Sequence, residues 1–191
     1  MGYDPNKKDS LDQWRKRIGK ANADHITKTA GEYGNALHAC AEYYLSNNDS
    51  MLELEKKNSN LIVRNMFSAL KSKLDLYVDN IHALEVPLYS DILKTAGRTD
   101  CIALWNGELA IIDFKNSKKK KKREWIQNYV NQATCYAIMA EEFLGVLVTK
   151  IVIPICYYDG TIDIFVGDTK NHYSDMRGQI DFYYKNHPEM V

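Results

Sequence analysis

Two aspartates and a lysine flank a predicted tight turn. Asp100 and Asp113 lie in the alternating apolar runs RTDCIALW and ELAIIDFK, which are joined by Asn106 and Gly107. An Asn-Gly pair between such runs is the strongest short-range signal for a β-hairpin. With these two as the turn residues, Asp100 lies directly opposite Asp113, and the Cβ atoms are roughly 4.5–5.5 Å apart. Like charges at that distance repel, so the pair needs a compensating cation or an unusual proton.

The hairpin predicts a chemistry for these groups. Side chains alternate along a strand, so Lys115 shares the face of Asp113. Two carboxylates at the margin of a core favour a hard divalent ion such as magnesium. A metal that polarises a phosphate, beside a cation that neutralises developing charge, is what phosphodiester hydrolysis requires. The hairpin alone is equally compatible with a solvated Asp–Asp pair in which Lys115 serves as an ion-pair partner.

The segments around the hairpin predict the elements that would position these groups. Before the hairpin, apolar periodicity and turn signals predict a helix from about Glu32 to Leu45 ended by the polar cluster Ser46–Ser50, and a second helix through Ile62 to Ile81. The strand ALEVPLYS and a turn near Lys94–Ala96 lead into the hairpin. After it come a helix from about Glu124 to Phe143, the strands KIVIPICYY and TIDIFV joined at Asp159-Gly160, and a helix through Tyr183. This order favours an α/β fold in which helices cover one central mixed β-sheet.

Length and composition predict one domain over residues 1–191. We expect a flexible segment at 1–9, a helical region at 10–81 that opens with a capping box at Ser10 and Gln13, and a sheet core with helices at 82–191. The 25 basic and 25 acidic side chains cancel, so affinity for nucleic acid must come from local clusters of charge. The four cysteines are widely spaced without a CxxC pair, which is typical of reduced core residues.

A basic run follows the hairpin in this chain of zero net charge. Lys118–Lys122 and Arg123 give six consecutive cations. Lysines beside stacking aromatic rings bind single-stranded nucleic acid without sequence preference, so we expect Lys118, Lys119, Lys120 and Trp125 to contact substrate, with Tyr129 as a second stacking surface. The alternatives are a solvated loop or a nuclear-import-like patch, with Trp125 in the core.

The motifs together resemble a known enzyme family. The pattern G-x-x-D, a strand with D-x-K, and Q-x-x-x-Y on the next helix is similar to the RecB-like branch of the PD-(D/E)XK nucleases, with an upstream helical histidine. The matching residues here are Gly97, Asp100, Asp113, Lys115, Gln132, Tyr136 and His38. The segments LDQWRKRIG, GNALH, EVPLYS, AGRTD and IIDFKNS resemble a group of mitochondrial and phage-type exonucleases within that branch.

The resemblance implies a fold and a metal site. It implies a restriction-endonuclease-like core with an N-terminal helical region. It also implies that His38, Asp100 and Asp113 bind Mg²⁺ or Mn²⁺, joined by the backbone carbonyl of Phe114. Lys115 would be catalytic together with the two aspartates. Two further acidic residues, Glu85 and Glu42, are expected to support the site, although the sequence places neither beside the metal.

The same resemblance implies a substrate. Gln132 and Tyr136, four residues apart and so on one helix face, would position the substrate strand. The implied activity is a sequence-nonspecific exonuclease on single-stranded DNA, threaded beneath the N-terminal helices around Trp14 to Tyr44, with replication or recombination proteins as partners. An endonuclease or flap-cutting enzyme on the same fold, and a catalytically silent nucleic-acid-binding module, are the alternatives.

Several features are not expected from this sequence. The cysteines lack the grouping of iron–sulfur nucleases, and no Walker loop indicates a nucleotide cofactor. No segment has the pattern of a signal peptide or of a membrane span, so we expect a cytoplasmic protein, in a bacterial host if phage-encoded. No helix-turn-helix or zinc-finger pattern predicts base-specific recognition.

Overall fold

The computed structural model describes residues 5–47 and 60–190. Helix α1 (Pro5–Ile18) begins before the predicted start at Ser10. Proline presets the backbone for the first helical position, which explains a start at Pro5. Ser10 therefore lies inside the helix, and the predicted capping box is wrong. The rest of the predicted flexible segment, at 1–4, and the end of the Ser46–Ser50 cluster lie outside the described residues.

Helix α2 (Lys20–Leu45) begins well before the predicted start at Glu32 and ends at the predicted Leu45. Gly19, with a positive φ of 83°, separates α2 from α1. In the first half of α2 only Ala23 is buried, so this part has no apolar stripe from which a helix could be predicted.

Helix α3 (Leu61–Tyr77) begins at an Asn60 cap, whose side chain accepts a hydrogen bond of 2.9 Å from the N–H of Ile62. The predicted extension of this helix to Ile81 is wrong, because the chain enters the sheet at Val78. Ile81 follows the apolar stripe at helical spacing, yet it pairs with β2 and is 38% exposed. The predicted boundary between helical region and sheet core therefore moves from 81/82 to 77/78.

One mixed sheet forms the centre of the described residues. Its strands are β1 (Val78–Ser90), β2 (Thr95–Trp105), β3 (Glu108–Ile112), β4 (Lys115–Ser117), β5 (Lys150–Tyr157) and β6 (Ile162–Asp168). β1, β2 and β3 pair antiparallel in that order, β3 and β4 both pair parallel with β5, and β6 pairs antiparallel with β5. The parallel pairs require the long crossover between β4 and β5.

The two predicted hairpin turns are confirmed. Trp105 pairs with Glu108 around the turn, where Asn106 and Gly107 have positive φ values of 52° and 78°. Positive φ at both central residues suits an Asn-Gly turn. The second turn contains Gly160, with φ of 81°. The turn between β1 and β2, in contrast, occupies 91–94 and not the predicted Lys94–Ala96.

Helices cover both faces of the sheet, which confirms the predicted fold class. Helices α4 (Gln127–Leu144) and α5 (Tyr173–Asn186) pack on one face against residues such as Ile111, and α2 and α3 pack on the other against residues such as Ile112. Successive strand residues point to opposite faces, so this chain needs a hydrophobic cover on each side. A 3₁₀ turn at Arg123–Trp125 precedes α4, which therefore begins later than the predicted Glu124.

The cysteines are buried thiols, as the sequence predicts. Cys40, Cys101 and Cys156 lie in the core beneath α2 and α3, and Cys135 lies in the core beneath α4. Burial raises the pKa of Cys101, Cys135 and Cys156 to about 12, which keeps these thiols protonated and unreactive. No helix within the described part of the chain combines the length and the apolar character that crossing a bilayer requires.

Candidate metal and catalytic site

Asp100 lies on β2 where the hairpin meets helix α2. The residue is 8% exposed. Its Oδ2 accepts a hydrogen bond of 2.6 Å from the backbone N–H of Phe114, and its Oδ1 lies 3.2 Å from Nδ1 of His38. Hydrogen bonds to a charged acceptor are stronger than neutral ones. Both carboxylate oxygens are therefore held by neighbours from other elements.

Asp113 lies in a gap between two strands. The sequence predicts one continuous run here, but the β2–β3 ladder ends at Ile112, one position before the predicted pairing of Asp100 with Asp113. The N–H of Asp113 donates to the carbonyl of Val152 at 3.0 Å, and β4 then resumes pairing with β5 in the register of β3. The interruption turns the N–H of Phe114 toward the carboxylate of Asp100.

The carboxylate of Asp113 is more deeply buried than that of Asp100. The residue is 2% exposed, and Nζ of Lys115 lies 2.5 Å from its Oδ2. This ion-pair contact does not have the angles of a hydrogen bond, and Oδ2 has no hydrogen-bond partner among the described residues. Burial raises the pKa of Asp113 to about 6. The positive charge of Lys115 lowers this pKa, and the negative charge of Asp100 raises it. Lys115 therefore supplies the positive charge beside this buried oxygen, in a contact with poor hydrogen-bond geometry.

His38 reaches the site from helix α2, on the other side of the sheet from α4. Its ring meets that of Phe114 edge-on, with centroids 6.1 Å apart. Burial lowers the pKa of His38, but the hydrogen bond and the charge of Asp100 outweigh burial, so this pKa lies above its ordinary value. The structure thus brings His38 and Asp100 together, and the sequence linked these two residues only through the family resemblance.

Glu85 belongs to the same cluster. His38, Glu85 and Asp100 each offer one ligand atom, and these atoms all lie within 4.8 Å of one another. On β1 the neighbours of Glu85 pair with the residues on either side of Asp100, so Glu85 faces Asp100 across the ladder. Its φ is 49°, a left-handed value that is uncommon outside glycine and occurs at functional sites.

The sequence contains the signal that places Glu85, but only with the correct turn. With the turn at 91–94, counting back along β1 brings Glu85 opposite Asp100; the predicted turn at Lys94–Ala96 does not. Arg98 is the ion-pair partner of Glu85, with Nη1 3.4 Å from Oε2, and its side chain is 67% exposed. Exposed pairs contribute little energy, so this contact does not replace a ligand role for Glu85.

Glu42, the second expected supporting residue, is not part of the cluster. It lies one helical turn after His38 on α2, and its side chain is exposed. Within the described residues, the group that could hold a metal ion contains Glu85 and not Glu42. The expectation for Glu42 therefore has no structural support.

A chain of hydrogen bonds leads from α4 to Lys115. Nζ of Lys115 donates to Oε1 of Gln132 at 2.9 Å, and Nε2 of Gln132 donates to Oη of Tyr136 at 2.9 Å. Tyr136 is 7% exposed, and burial together with the charge of Asp113 raises its pKa to about 12. A Cβ on Gly97 would lie 2.5 Å from Cε1 of this ring, so the glycine allows β2 to pack against Tyr136. Tyr136 is therefore buried behind the site.

Comparison with known proteins finds sequence similarity to two curated exonucleases. No family model matches the chain. It is 27% identical over 115 residues to human mitochondrial genome maintenance exonuclease 1 and 25% identical over 115 residues to the mouse protein. The sequence similarity is to exonucleases. In each case the match covers 58% of this chain and 32% of the relative, so the chain spans about a third of the length of the curated relatives it matches.

A solved structure shares the fold. A protein of Eubacterium rectale with a provisional exonuclease assignment superposes with a TM-score of 0.55 at 12% identity, over 83% of this chain and 66% of that one. This likeness confirms the architecture of a central mixed sheet flanked by helices. The relation to nucleases rests on the sequence similarity to the two curated relatives alone.

The basic run leaves the site along β4. Lys118, Lys119 and Lys120 are exposed, and Trp125 is 54% exposed, so the alternative that Trp125 belongs to the core is wrong. Tyr129 lies nearer the cluster, where its ring centroid is 5.4 Å from Nζ of Lys115. The run and the lysine of the site therefore occupy neighbouring parts of one surface.

The donor set fits a divalent cation. Carboxylate oxygens suit magnesium and manganese, and an imidazole nitrogen suits manganese better than magnesium. The carboxylate of Asp113, whose Oδ2 meets Lys115 in poor hydrogen-bond geometry, supplies a further oxygen ligand next to the cluster. Both the chemistry of the side chains and the unmet charge therefore agree with a bound metal ion.

Proposed function

We propose that this protein is a metal-dependent nuclease that hydrolyses phosphodiester bonds in DNA. The observation that carries the proposal is the convergence of His38, Glu85 and Asp100 within 4.8 Å beside the ion pair of Asp113 and Lys115. Acidic ligands next to a buried lysine supply what this hydrolysis needs. The similarity to proteins named as exonucleases supports the same reaction.

The residues that would hold Mg²⁺ or Mn²⁺ are His38, Glu85, Asp100 and Asp113, with the carbonyl of Phe114. This proposal makes Glu85 a metal ligand, where the sequence led us to expect a supporting residue. A divalent ion, when bound, polarises the phosphate and lowers the pKa of a coordinated water. Phe114 fixes Asp100 through its N–H, and the imidazole of His38 is oriented by the other oxygen of that carboxylate.

Lys115 would neutralise charge on the phosphate during hydrolysis. Its ammonium is held between the carboxylate of Asp113 and the amide oxygen of Gln132. Tyr136 keeps the amide of Gln132 turned so that its oxygen faces Lys115. The buried Tyr136 would act through Gln132 and not by touching the substrate strand, as the resemblance implied. A lysine fixed in advance stabilises developing charge without reorganisation.

The substrate we propose is single-stranded DNA with a free end, cut without sequence preference. The exposed Trp125 offers a stacking face, and Lys118, Lys119 and Lys120 offer charge to the backbone. Helix α2 carries His38 into the site and α1 contacts α2, so we expect the strand to enter beneath these N-terminal helices. A strand passing there would be unpaired.

One digestion experiment tests the activity, the site and the mode of cleavage. End-labelled linear DNA and a single-stranded circle are incubated with wild type, Asp113→Ala, Lys115→Ala and the control Glu42→Gln, in magnesium, manganese or EDTA. We expect wild type and Glu42→Gln to degrade the linear strand in either metal and to leave the circle intact. Asp113→Ala and Lys115→Ala should lose at least about a hundredfold in rate.

The other possible results of this digestion distinguish the alternative functions. A circle that is cut as fast as the linear strand identifies an endonuclease. Wild-type protein that binds the strand but cleaves neither substrate in any metal identifies a silent binding module. Undiminished activity of Asp113→Ala or Lys115→Ala would show that the assigned site is wrong.

A further inference from the structure

The basic run is built onto the sheet. Oγ of Ser117 donates to the carbonyl of Lys119 at 2.8 Å, and the N–H of Lys121 donates to Oη of Tyr157 at 3.1 Å. Nζ of Lys120 lies 3.5 Å from Oδ1 of Asp163 on β6. These contacts place the run against the ends of β5 and β6, so its cations have defined positions.

Three of the cations rest on aromatic rings. Their charged groups lie 4.6, 5.4 and 3.7 Å from the ring centroids in the pairs Lys120–Tyr157, Lys122–Trp125 and Arg123–Phe165, which we call the cation–ring strip. A cation over a ring face gains about 0.5–1 kcal/mol at an exposed site. The ring covers one side of each cation and leaves the other to solvent. The strip therefore holds three positive groups in place. Lys120 is also paired with Asp163, and the N–H donors of Lys122 and Arg123 stay open.

The strip lies on the same face of the sheet as the side chain of Lys115. Tyr157 and Phe165 pack with the core beneath α4, and α4 also carries the amide that holds Lys115. Lys115 pairs with Ile155 on β5. Tyr157 and Ile153, the partner of Phe165, each lie two residues along β5 from Ile155, or roughly 7 Å. A strand with one phosphate at the site can therefore reach the strip within a few nucleotides.

We propose that the cation–ring strip is a binding subsite for single-stranded nucleic acid, which takes the nucleotides beyond the bond that is cut. The inference rests on the proposed function for the position of that bond. Arg123 and Lys122 contact phosphates, and the exposed ring of Trp125 stacks with a base. A guanidinium stacked on a ring still presents its planar donors to a phosphate. Stacking on Trp125 tolerates any base, which suits a strand read without sequence preference.

The carboxylates near the strip leave it strongly basic. Glu124 directly follows the run, and Asp163 is already paired with Lys120. Lys122 and Arg123 have ring contacts and no ion pair among the described residues. A binding experiment should therefore substitute these two cations and Trp125.

Binding of a fluorescent fifteen-nucleotide oligo-dT in EDTA, measured by anisotropy over a range of salt, tests the subsite. Lys122→Gln/Arg123→Gln should weaken binding at least about fivefold and reduce the slope of log K against log salt by ~1.4. Trp125→Leu should weaken binding about fivefold or more and leave the slope unchanged, because stacking releases no counterions. The matched control is Arg64→Gln/Lys73→Gln on α3, which removes two charges from the opposite face and should bind as wild type does.

The outcomes separate the subsite from the nuclease. Equal weakening in the control, or unchanged binding by Trp125→Leu, would overturn the proposal. So would a labelled poly-glutamate of equal charge that binds as tightly as oligo-dT with the same sensitivity to the variants, because the strip would then serve acidic proteins. If strip-dependent binding is found but no phosphodiester is hydrolysed in Mg²⁺ or Mn²⁺, the proposed function fails and the subsite stands.

Discussion

The surroundings of the buried Asp113 carboxylate carry an excess of negative charge, which a bound cation would compensate. Its carboxylate is almost fully buried, Asp100 adds a second negative charge, and Lys115 supplies the single nearby ammonium group of the described residues. Three carboxylates, with Glu85 as the third, face the ammonium of Lys115 and the imidazole of His38, which leaves a deficit of positive charge in a site with little water. Functional sites often keep such a deficit at a cost in stability.

Asp113→Asn should therefore raise stability without metal. The raised pKa of Asp113 means that its contribution to stability is present below the ordinary carboxyl pKa and is lost as the pH rises through about 6. In EDTA the variant should unfold at a higher temperature than wild type at pH 8, by about 1–2 kcal/mol or roughly 3–6 °C, with roughly half that difference at pH 5. A difference that stays constant between these pH values would contradict the assignment.

Tyr136→Phe tests whether the tyrosine positions Lys115. The variant keeps the ring against Gly97 but removes the acceptor for Nε2 of Gln132, so the amide oxygen is no longer held toward Lys115. We expect kcat to fall roughly three- to tenfold with KM for a short oligonucleotide unchanged. The control is Tyr129→Phe, which keeps a ring near Lys115 and loses a hydroxyl that has no hydrogen-bond partner among the described residues. A rise in KM alone would instead indicate direct contact with substrate.

At the scale of elements, helix α4 and strand β2 must approach closely for the site to form. Gly97 on β2 meets the ring of Tyr136 on α4, and any side chain there would collide with it. The G-x-x-D spacing thus has a packing reason beside the catalytic role that we propose for Asp100. Three residues after Gly97, Asp100 lies near the phenylalanine and histidine that orient it.

Gly97→Ala should destabilise the protein by about 1–3 kcal/mol, because the added methyl group overpacks a close contact. Chemical denaturation of Gly97→Ala, Tyr136→Leu and the double variant measures the coupling between the two sites. The smaller leucine should absorb part of the clash, so the double variant should be more stable than the sum of the single changes predicts. Strict additivity would show that the two side chains do not meet.

At the scale of the molecule, the mixed sheet brings the proposed metal ligands together from distant segments. His38, Glu85 and Asp100 come from α2, β1 and β2, and the gap between β3 and β4 adds Asp113. None of these elements could hold a cation alone. A metal ion bound there would join the helical region to the sheet and should stabilise both.

Metal binding should therefore be visible in thermal unfolding. At a hundred times its dissociation constant, Mg²⁺ or Mn²⁺ should add about 2.7 kcal/mol, or roughly 5–10 °C. Mn²⁺ should saturate at lower concentration because the donor set contains an imidazole. His38→Ala and Glu85→Gln should lose most of the shift, and Glu42→Gln, one turn away and exposed, should keep it. Equal loss in Glu42→Gln and His38→Ala would indicate nonspecific binding of metal.

The sequence alone determined the local parts of this site. The Asn106-Gly107 turn set the register of the hairpin by counting, and so brought Asp100 and Asp113 to one end of it, because strand alternation and turn geometry are short-range. The same reasoning failed where the signal was long-range or absent. It extended α3 to Ile81, and it did not find the polar first half of α2.

Only the tertiary structure decided which distant groups meet. Glu85 and Glu42 are both acidic residues near a motif, yet one faces Asp100 across a ladder and the other faces solvent, because their places depend on the β1–β2 turn and on the packing of α2. Likewise, the spacing of Gln132 and Tyr136 showed that they share a helix face. Only the packing of α4 against β2 shows how deeply that face is buried. Because Tyr136 is buried there, we propose that it positions Lys115 through Gln132 and does not touch the substrate.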